Sequence, residues 1–431
     1  MGEPVIVERA AHSLSRKQID PDALKVLYRL HQNHYIAYLV GGSVRDLLLG
    51  RRPKDFDIGT SAHPYQVKRL FRNCWIIGRR FRLAHVRFGA KTIEVATFRR
   101  QLTAEELAAA AQPGDGSDGA PEGGQRHDRL AHRDNTFGTP EEDAFRRDFT
   151  INALFYDIGT FSIIDYTGGL EDLRAGLVRC IGEPAVRFNE DPVRMLRAVA
   201  MAARLGFAID PPIDAAIDAG RNEIARSAPA RLIEEFYKLL RSGAAERAFR
   251  MMADRRLLEP IAHDLQKAAG ARLWQSLASL DAYRKRFEDI PDTMTNAILL
   301  GSLLMPMGLA GHAPRPPVDA DSGKEPRLSI GMLPLARRDV ERFRQILGLQ
   351  RRLLDTALSS RAKRALMHRG PFREALTWLD IHGQAPDMLE HWRGFIEAAG
   401  SYEAAGEGDD SRPPRRRRRR RRRSIRPTTG N

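Results

Sequence analysis

A pair of glycines between an apolar run and a helical pattern is the first feature of the chain that suggests chemistry. The apolar run is Tyr38 to Val40, the glycines are Gly41 and Gly42, and the helical pattern carries Leu47 to Leu49. Glycines lack the Cβ atoms that would keep a phosphate away from backbone N–H groups, and the helix directs its positive end to the same spot. The sequence therefore predicts a strand, an anion-binding turn and a helix.

Two carboxylates follow this turn at a spacing that suits a metal ion. Alternation predicts a strand with Phe56 and Ile58 on one face and with Asp55 and Asp57 on the other. Carboxylate oxygens are ligands that Mg²⁺ prefers, and a phosphate site beside them is the equipment of metal-assisted phosphoryl or nucleotidyl transfer. Either half alone is typical of an ordinary turn or cap, so the interpretation depends on the pair.

The elements that must position these residues are short helices and strands. A helix from about Pro21, capped by Asp20, follows an irregular start over residues 1–20 and leads into the first strand. Further strands are predicted over residues 75–78, 81–88 and 91–98. In the last of these, Glu94 is either an edge charge or a third metal ligand, and the local sequence leaves both open.

The composition indicates a globular chain with a strongly basic tail. With 431 residues, 42% of them hydrophobic, the chain can form two to four domains. Eleven arginines in the last twenty residues supply most of the formal charge of +15. The two cysteines, Cys74 and Cys180, have neither metal-ligand nor disulfide spacing, which is typical of a cytoplasmic protein. We expect neither a signal peptide nor a transmembrane segment, since the most apolar run, Ala297 to Ala310, is too short to cross a bilayer.

The stretch Tyr38 to Ile58 resembles the signature of the nucleotidyltransferase superfamily, in the class II tRNA nucleotidyltransferase/poly(A) polymerase family. Three further blocks, His12 to Leu30, Gly78 to Val86 and Ile93 to Arg99, are similar to the bacterial poly(A) polymerases of that family. The resemblance implies an α+β fold, with an N-terminal nucleotidyltransferase head (a small mixed sheet with helices), an all-helical neck and body, and a disordered arginine-rich tail. We assign residues 1–34 to an N-terminal extension and helix, 35–180 to the head with a flexible insertion at about 102–135, 181–245 to the neck, 246–400 to the body and 401–431 to the tail.

A second motif supplies an arginine and an acid. The segment Glu141 to Leu154 matches the family's motif in which adjacent arginines and an aspartate precede a helix. The resemblance implies that Arg147 contacts the triphosphate, for which a guanidinium fork is well shaped. It also implies two Mg²⁺ ions held by Asp55 and Asp57, with Asp148, or else Glu94, completing the catalytic set. The implied triphosphate cradle consists of Gly41, Gly42, Ser43 and Arg45.

The block Arg187 to Ala198 is implied to select the base. An aspartate accepts hydrogen bonds and an arginine donates them, so such a pair accepts adenine or cytosine and rejects guanine or uracil. The motif therefore does not separate poly(A) synthesis from CCA addition. Pro192 also makes Asp191 an expected helix cap, with Gly206 ending the helix. The implied nucleotide-binding residues are Glu190, Asp191, Arg194 and Arg197.

The remaining segments carry little chemistry of their own. The segment Asp165 to Leu173 resembles the family's hinge after the head, and the text from about Ile209 to Ala399 is helical except for a Pro- and Gly-rich loop at Gly311 to Arg327. The arginine run is expected to bind RNA phosphates without sequence preference, with an anionic membrane surface or a protein partner as alternatives. The run consists of Arg415, Arg416, Arg417, Arg418, Arg419, Arg420, Arg421, Arg422 and Arg423.

The resemblance implies template-independent addition of AMP from ATP to RNA 3′ ends, with release of pyrophosphate. The lead-in helix, the Gly78 to Val86 block and the arginine tail favour this product over that of a CCA-adding tRNA nucleotidyltransferase. A catalytically dead RNA-binding protein is a third alternative, against which the intact Asp55, Asp57 and Arg147 argue. The implied partners are RNA 3′ ends, ATP and proteins of RNA decay, and the implied state is a monomer.

Overall fold

The computed structural model describes residues 3–78, 82–100, 136–309 and 329–406. Three predicted features lie outside the described residues: the insertion over 102–135, the loop over 311–327 and the arginine run, and so do Arg79 to Phe81 of the Gly78 block. The chain divides into two compact units, Met1–Arg344 and Gln345–Asn431. This division falls inside one helix, so the predicted boundaries of head, neck and body stay predictions.

The first unit begins with an α+β domain on one mixed sheet, as the sequence predicted. Eight strands run in the order β1-β8-β7-β2-β3-β6-β5-β4, and β3 with β6 is the parallel pair. The strands are β1 Val5–Val7, β2 Ala37–Val40, β3 Ile58–Thr60, β4 Cys74–Ile77, β5 Leu83–Phe88, β6 Lys91–Thr97, β7 Leu154–Asp157 and β8 Ile163–Asp165. The helices of this domain are α1 Pro21–Gln32, α2 Gly42–Leu48, α3 Pro64–Leu70, α4 Pro140–Phe145 and α5 Gly169–Ala175.

The glycine turn has the predicted form, whereas the carboxylates lie outside the strand predicted for them. β2 ends at Val40 and α2 begins at Gly42, but β3 begins only at Ile58. The N–H of Val40 donates to the carbonyl of Asp57 at 3.0 Å. Beyond that bond the β2 chain turns away at Gly41, so Asp55 and Phe56 have no strand beside them to pair with in the described structure.

Residues 1–20 are not irregular throughout, contrary to the sequence prediction. β1 pairs antiparallel with β8, and Leu14 is fully buried. A three-residue strand gains its stability from its partner, and a local pattern does not reveal that partner. The prediction for α1 is confirmed, since the side chain of Asp20 accepts hydrogen bonds from the N–H groups of Asp22 and Ala23.

The rest of the first unit is helical, with two small pairs of strands. The helix predicted after Asp148 is wrong: a single 3₁₀ turn, Thr150–Asn152, leads straight into β7. The helices are α6 Pro184–Glu190, α7 Val193–Leu205, α8 Pro211–Gly220, α9 Pro229–Leu240, α10 Ala245–Asp254, α11 His263–Lys267, α12 Ala271–Arg284 and α13 Asn296–Leu304. The strand pairs are β9 Leu177–Val178 with β10 Ala208–Ile209 and β11 Ser329–Ile330 with β12 Leu333–Pro334.

The second unit is a small helical cluster around Trp392. Its indole ring is almost fully buried, packs against Phe372 at 5.3 Å between ring centroids, and donates to the carbonyl of Leu353 at 2.9 Å. No helix among the described residues is long and apolar enough to cross a membrane. The helices are α14 Arg337–Leu353, which begins in the first unit, α15 Ser360–Met367, α16 Phe372–His382 and α17 Pro386–Gly406.

Candidate active site

The turn after β2 is built around a close approach between Gly41 and Arg147. Gly41 has φ +71°, and a Cβ atom there would lie 2.8 Å from Nη1 of Arg147. That nitrogen donates to the carbonyl of Asn152 at 3.0 Å. Only glycine gives both the left-handed backbone and the space for the guanidinium, so the turn and the second motif form one site.

A buried carboxylate holds Arg147 in this position. Asp143, 2% exposed, accepts from Nε of Arg147 at 3.1 Å and from Nη2 at 2.9 Å. Burial alone would raise the pKa of Asp143, but the guanidinium groups of Arg147 and Arg146 outweigh it and lower the pKa. The Arg147 side chain remains 20% exposed, so it is fixed in place and still reachable by an anion.

Ser43 and Arg45, predicted to cradle a triphosphate, direct their side chains into the protein. The hydroxyl of Ser43 donates to the carbonyl of Val40 at 3.0 Å. Arg45 is 2% exposed and pairs with Asp46 at 2.7 Å and with the side-chain oxygen of Asn152. Both side chains support the turn from behind, so any contact they make with a phosphate would come through their backbone.

Asp57, Glu94 and Asp55 form a group of mutually repelling carboxylates. The pKa of Asp57 is raised to about 6, first because packed protein displaces its hydration water and then because Glu94 and Asp55 repel a further negative charge. Asp57 is nevertheless exposed at the surface, so a ligand can reach it. Glu94 lies on β6 with its Oε1 3.3 Å from Nε2 of His85. The Asp55 side chain is 73% exposed.

Asp148 belongs to a different cluster from these carboxylates. Its two oxygens accept from Nε of Arg194 at 2.7 Å and from Nη1 of Arg197 at 2.8 Å. Burial would raise the pKa of Asp148, but Arg194 and Arg197 outweigh it and lower the pKa. Of the two candidates for a third catalytic acid, the structure therefore places Glu94 with Asp57, and Asp148 with the arginines of α7.

The carboxylates of Asp55, Asp57 and Glu94 are the ligand type that a hard divalent cation prefers. Their side chains do not converge on one point in this conformation. Oxygen ligands and mutual repulsion both favour Mg²⁺, which would relieve the unfavourable charge on Asp57. Within the described ranges, no three His, Cys, Asp or Glu side chains converge closely enough to form a metal site in this conformation. The metal assignment stays a prediction.

The aspartate predicted to select the base, Asp191, is held by an arginine that the sequence did not reveal. Arg231 of α9 donates to both oxygens of Asp191, at 2.8 and 2.6 Å. Oδ1 of Asp191 also accepts from the N–H of Val193 at 3.3 Å. The prediction that Asp191 caps α7 is wrong, because α7 begins one residue later than predicted, at Val193, and Pro192 takes the N-cap position without a side-chain cap; α7 ends at Gly206 as predicted.

A second arginine, to which the sequence assigned no role, joins the two motifs. Arg187 of α6, 5% exposed, donates from Nη2 to the carbonyls of Arg146 and Arg147 at 2.8 and 2.9 Å. Its Nη1 donates to Glu190 at 2.9 Å, and Glu190 also accepts from Nη1 of Arg194 at 2.9 Å. The only signal in the sequence was the position of Arg187 within the block predicted to select the base.

The chain is similar to known poly(A) polymerases and CCA-adding enzymes. Three family models match in succession, described as Poly A polymerase head domain (residues 37–179), Probable RNA and SrmB- binding site of polymerase A (206–269) and Polymerase A arginine-rich C-terminus (329–424). Poly(A) polymerase I of Salmonella typhi is 49% identical over 257 residues, which are 59% of this chain and 53% of that protein. A CCA-adding enzyme of Lactobacillus johnsonii is 34% identical over 56% of this chain and 54% of its own length.

A solved structure shows the same architecture. The CCA-adding enzyme of Bacillus stearothermophilus, crystallised in complex with CTP, matches 88% of this chain and 83% of its own chain with a TM-score of 0.61 and 28% identity. The chain spans about half the length of the curated relatives it matches.

Proposed function

The chain belongs to the class II tRNA nucleotidyltransferase/poly(A) polymerase family, and on that premise we propose that it adds AMP from ATP to RNA 3′ ends. The observation that carries the proposal is the site itself: the Gly41 turn against Arg147, beside the carboxylates of Asp57 and Glu94. The similarity to poly(A) polymerase I of Salmonella typhi points to the same product.

In the proposed reaction, the 3′-hydroxyl oxygen of RNA attacks the α-phosphorus of ATP. The new O–P bond forms as the bond to the β-phosphate breaks, and pyrophosphate leaves. Asp55 and Asp57, with Glu94, would hold two Mg²⁺ ions, which when bound lower the pKa of the attacking hydroxyl and neutralise charge on the phosphates. Arg147, held by Asp143, binds the triphosphate beside the Gly41–Gly42 turn.

Base selection is assigned to Asp191 and Arg194. A carboxylate oxygen has two lone pairs, so Asp191 can accept from Arg231 and from the amino group of adenine together. Arg194 supplies the donor for the ring nitrogen. Arg197 and Asp148 hold Arg194 in place through the shared ion pair, since Asp148 accepts from both arginines. Asp148 thereby becomes a positioning residue in this proposal.

The second candidate is CCA addition to tRNA, which the CCA-adding relative and the CTP-bound structure favour. The deciding experiment supplies the full chain and Mg²⁺ with ATP or with CTP, on unstructured RNA and on tRNA that lacks CCA. Long A tails on unstructured RNA support the proposal, while CTP use confined to tRNA would show CCA addition instead.

The same assay tests the alternative that the head is catalytically inactive. Asp55→Ala is expected to abolish AMP incorporation while the melting temperature stays within about 2 °C of the parent, because Asp55 is exposed and surface changes are usually small. Wild-type protein that incorporates no AMP on any RNA would refute the proposed function. The proposal includes a monomeric cytoplasmic enzyme that works with proteins of RNA decay; the free buried thiols of Cys74 and Cys180 fit a reducing compartment.

A further inference from the structure

A row of side chains leads from the carboxylates to the edge of the sheet. In the strand register, Glu94 lies opposite His85, and His85 lies opposite Trp75 on β4, the last strand. Residues directly opposite one another on neighbouring strands share a face of the sheet. Asp57 immediately precedes β3, the strand beside β6, so it begins the row.

Among the residues that the structure describes, none covers this face of β4 and β5, whereas the other face is covered. Trp75 is 51% exposed and Ile77 is 49% exposed. The alternate residues Ala84 and Val86 are fully buried, on the side where α3 packs against the sheet. A tryptophan half in solvent on an edge strand offers a flat apolar surface to a partner.

The chemistry of this region suits a polyanion that carries aromatic bases. Between Asp57 and Glu94 the sequence contains no acid, and it contains eight lysines and arginines. One of them, Arg87, places its guanidinium carbon 5.7 Å from the centroid of the Trp75 ring. Single-stranded nucleic acids are bound by stacking of bases on aromatic rings together with cationic contacts to the backbone.

We propose that the face formed by Trp75, Ile77, His85 and Arg87 is a track for the 3′-terminal nucleotides of single-stranded RNA. The inference deepens the proposed function and rests on it for the identity of the RNA. Three strand spacings place Trp75 about 14 Å from Asp57, within reach of the last few nucleotides. The Gly41 turn lies on the other side of Asp57, after β2, so the two substrates approach the carboxylates from opposite directions along the sheet.

Binding is measured without catalysis, using the full chain and a fluorescein-labelled oligo(A) that ends in 3′-deoxyadenosine. Trp75→Ala is expected to weaken the Kd roughly tenfold, the effect of losing one stacked base, while Trp75→Phe keeps a ring and most of the affinity. Arg87→Gln is expected to lower the slope of log Kd against log salt by about 0.7, the loss of one phosphate contact.

The control is a second exposed pair of an aromatic ring and an arginine in the same domain. Tyr65 on α3 is 60% exposed, with the guanidinium carbon of Arg82 6.0 Å from its ring centroid, but α3 covers the opposite face of the sheet. Tyr65→Ala is expected to leave the Kd unchanged. An equal loss in Tyr65→Ala and Trp75→Ala would show non-specific binding and overturn the track.

Turnover gives an independent readout with extendable RNA. Trp75→Ala should raise the KM for RNA, with kcat and the KM for ATP changed by less than about twofold. An unchanged Kd and RNA KM in Trp75→Ala and Arg87→Gln, or capture of a protein rather than RNA by this face, would overturn the proposal. If the wild-type chain transfers no nucleotide, the proposed function fails. The fluorescence anisotropy of the labelled oligo(A) still decides whether the track binds RNA.

Discussion

The folded protein disfavours the ionised form of Asp57. Its pKa is raised to about 6 by loss of hydration water and by repulsion from Glu94 and Asp55. The unfolded chain releases this proton near a pKa of about 3.9. Between about pH 4 and pH 6 the native state therefore binds a proton that the unfolded chain does not. The stability that protonation of Asp57 gives the native state is complete below about pH 4 and is lost as the pH rises through 6.

The Asp57→Asn variant should consequently be more stable than the parent at pH 8, and the two should have similar stability at pH 4. A shift of two units corresponds to about 3 kcal/mol, but solvent screens the exposed carboxyl, so we expect a gain of about 1 kcal/mol. Urea unfolding at both pH values measures it. Asp218→Asn, at a side chain 86% exposed and paired with Arg221, is the control. An Asp57→Asn variant that is less stable at pH 8 would contradict the repulsion.

Arg231 is expected to set the fidelity of base choice through Asp191. A carboxylate gripped by a two-nitrogen fork presents its remaining lone pairs in a fixed direction. Arg231→Ala should lower the preference for ATP over UTP about tenfold, the loss of roughly one directed hydrogen bond. Arg231→Lys should restore part of it. The ratio of kcat/KM values for ATP and UTP is the measurement.

The matched control for Arg231 is Arg221→Ala, which removes an equal charge from an arginine paired with Asp218. Discrimination should be unaffected in that variant. If Asp191→Ala abolished discrimination and Arg231→Ala did not alter it, Arg231 would have only a structural role.

The sequence predicts which residue types form the candidate site, but it does not predict where their side chains point. The turn at Gly41 could be predicted because a strand, a glycine and a helix follow from local spacing, whereas the strand predicted through Asp57 begins only at Ile58. Ser43 and Arg45 follow the same glycines, yet they are buried because the first turn of α2 faces the core. Arg231 meets Asp191 across forty residues of chain, and no local pattern contains that contact.

At the scale of elements, Gly169 shows how the hinge motif supports the second motif. A Cβ atom at Gly169 would overlap the carbonyl oxygen of Thr150, two residues after Asp148. The hydroxyl of Thr150 in turn donates to Asp172 of α5 at 2.7 Å. The helix α5 and the 3₁₀ turn are therefore packed backbone against backbone, which only glycine permits.

Gly169→Ala is expected to destabilise the protein by about 1–3 kcal/mol, the usual cost of forcing an atom into a packed interior. Gly220→Ala is the control, because an added Cβ there meets no atom of the described residues within 4 Å. That variant should be neutral or slightly stabilising, since alanine restricts the unfolded chain. The free energies of unfolding in urea compare them, and equal effects in both variants would refute the packing argument.

Elements whose stability is local were predictable, and those that depend on a partner were not. The start of α1 follows from its Asp20 cap, and the end of α7 follows from Gly206. The strand β1 and the extended segment before β3 are decided by which neighbour is available to pair. The same reason explains why the residues after Asp148 form a 3₁₀ turn and a strand, since β7 pairs on both sides.

At the scale of the whole molecule, positive charge is concentrated in one sequence segment. Residues 412–431 contain eleven arginines and no acid, so removing them from a chain of formal charge +15 leaves only +4. Such a segment attracts a polyanion by releasing its counterions, whatever the sequence of the RNA. Under the proposed function, the site carboxylates would set the chemistry, and the arginine run would set how strongly RNA is bound.

Truncation after Ser411 separates these contributions. Each arginine that contacts a phosphate of a single strand contributes about 0.7 to the slope of log Kd against log salt, so loss of three or more contacts lowers the slope by at least about 2. The kcat at saturating RNA should stay unchanged, because no carboxylate or triphosphate contact is removed. Replacing the run with lysines should preserve the slope, since counterion release depends on charge.

An unchanged slope after truncation would mean that the arginines do not bind RNA. Anionic lipid vesicles would then be the probe, since the same charge suits a membrane surface.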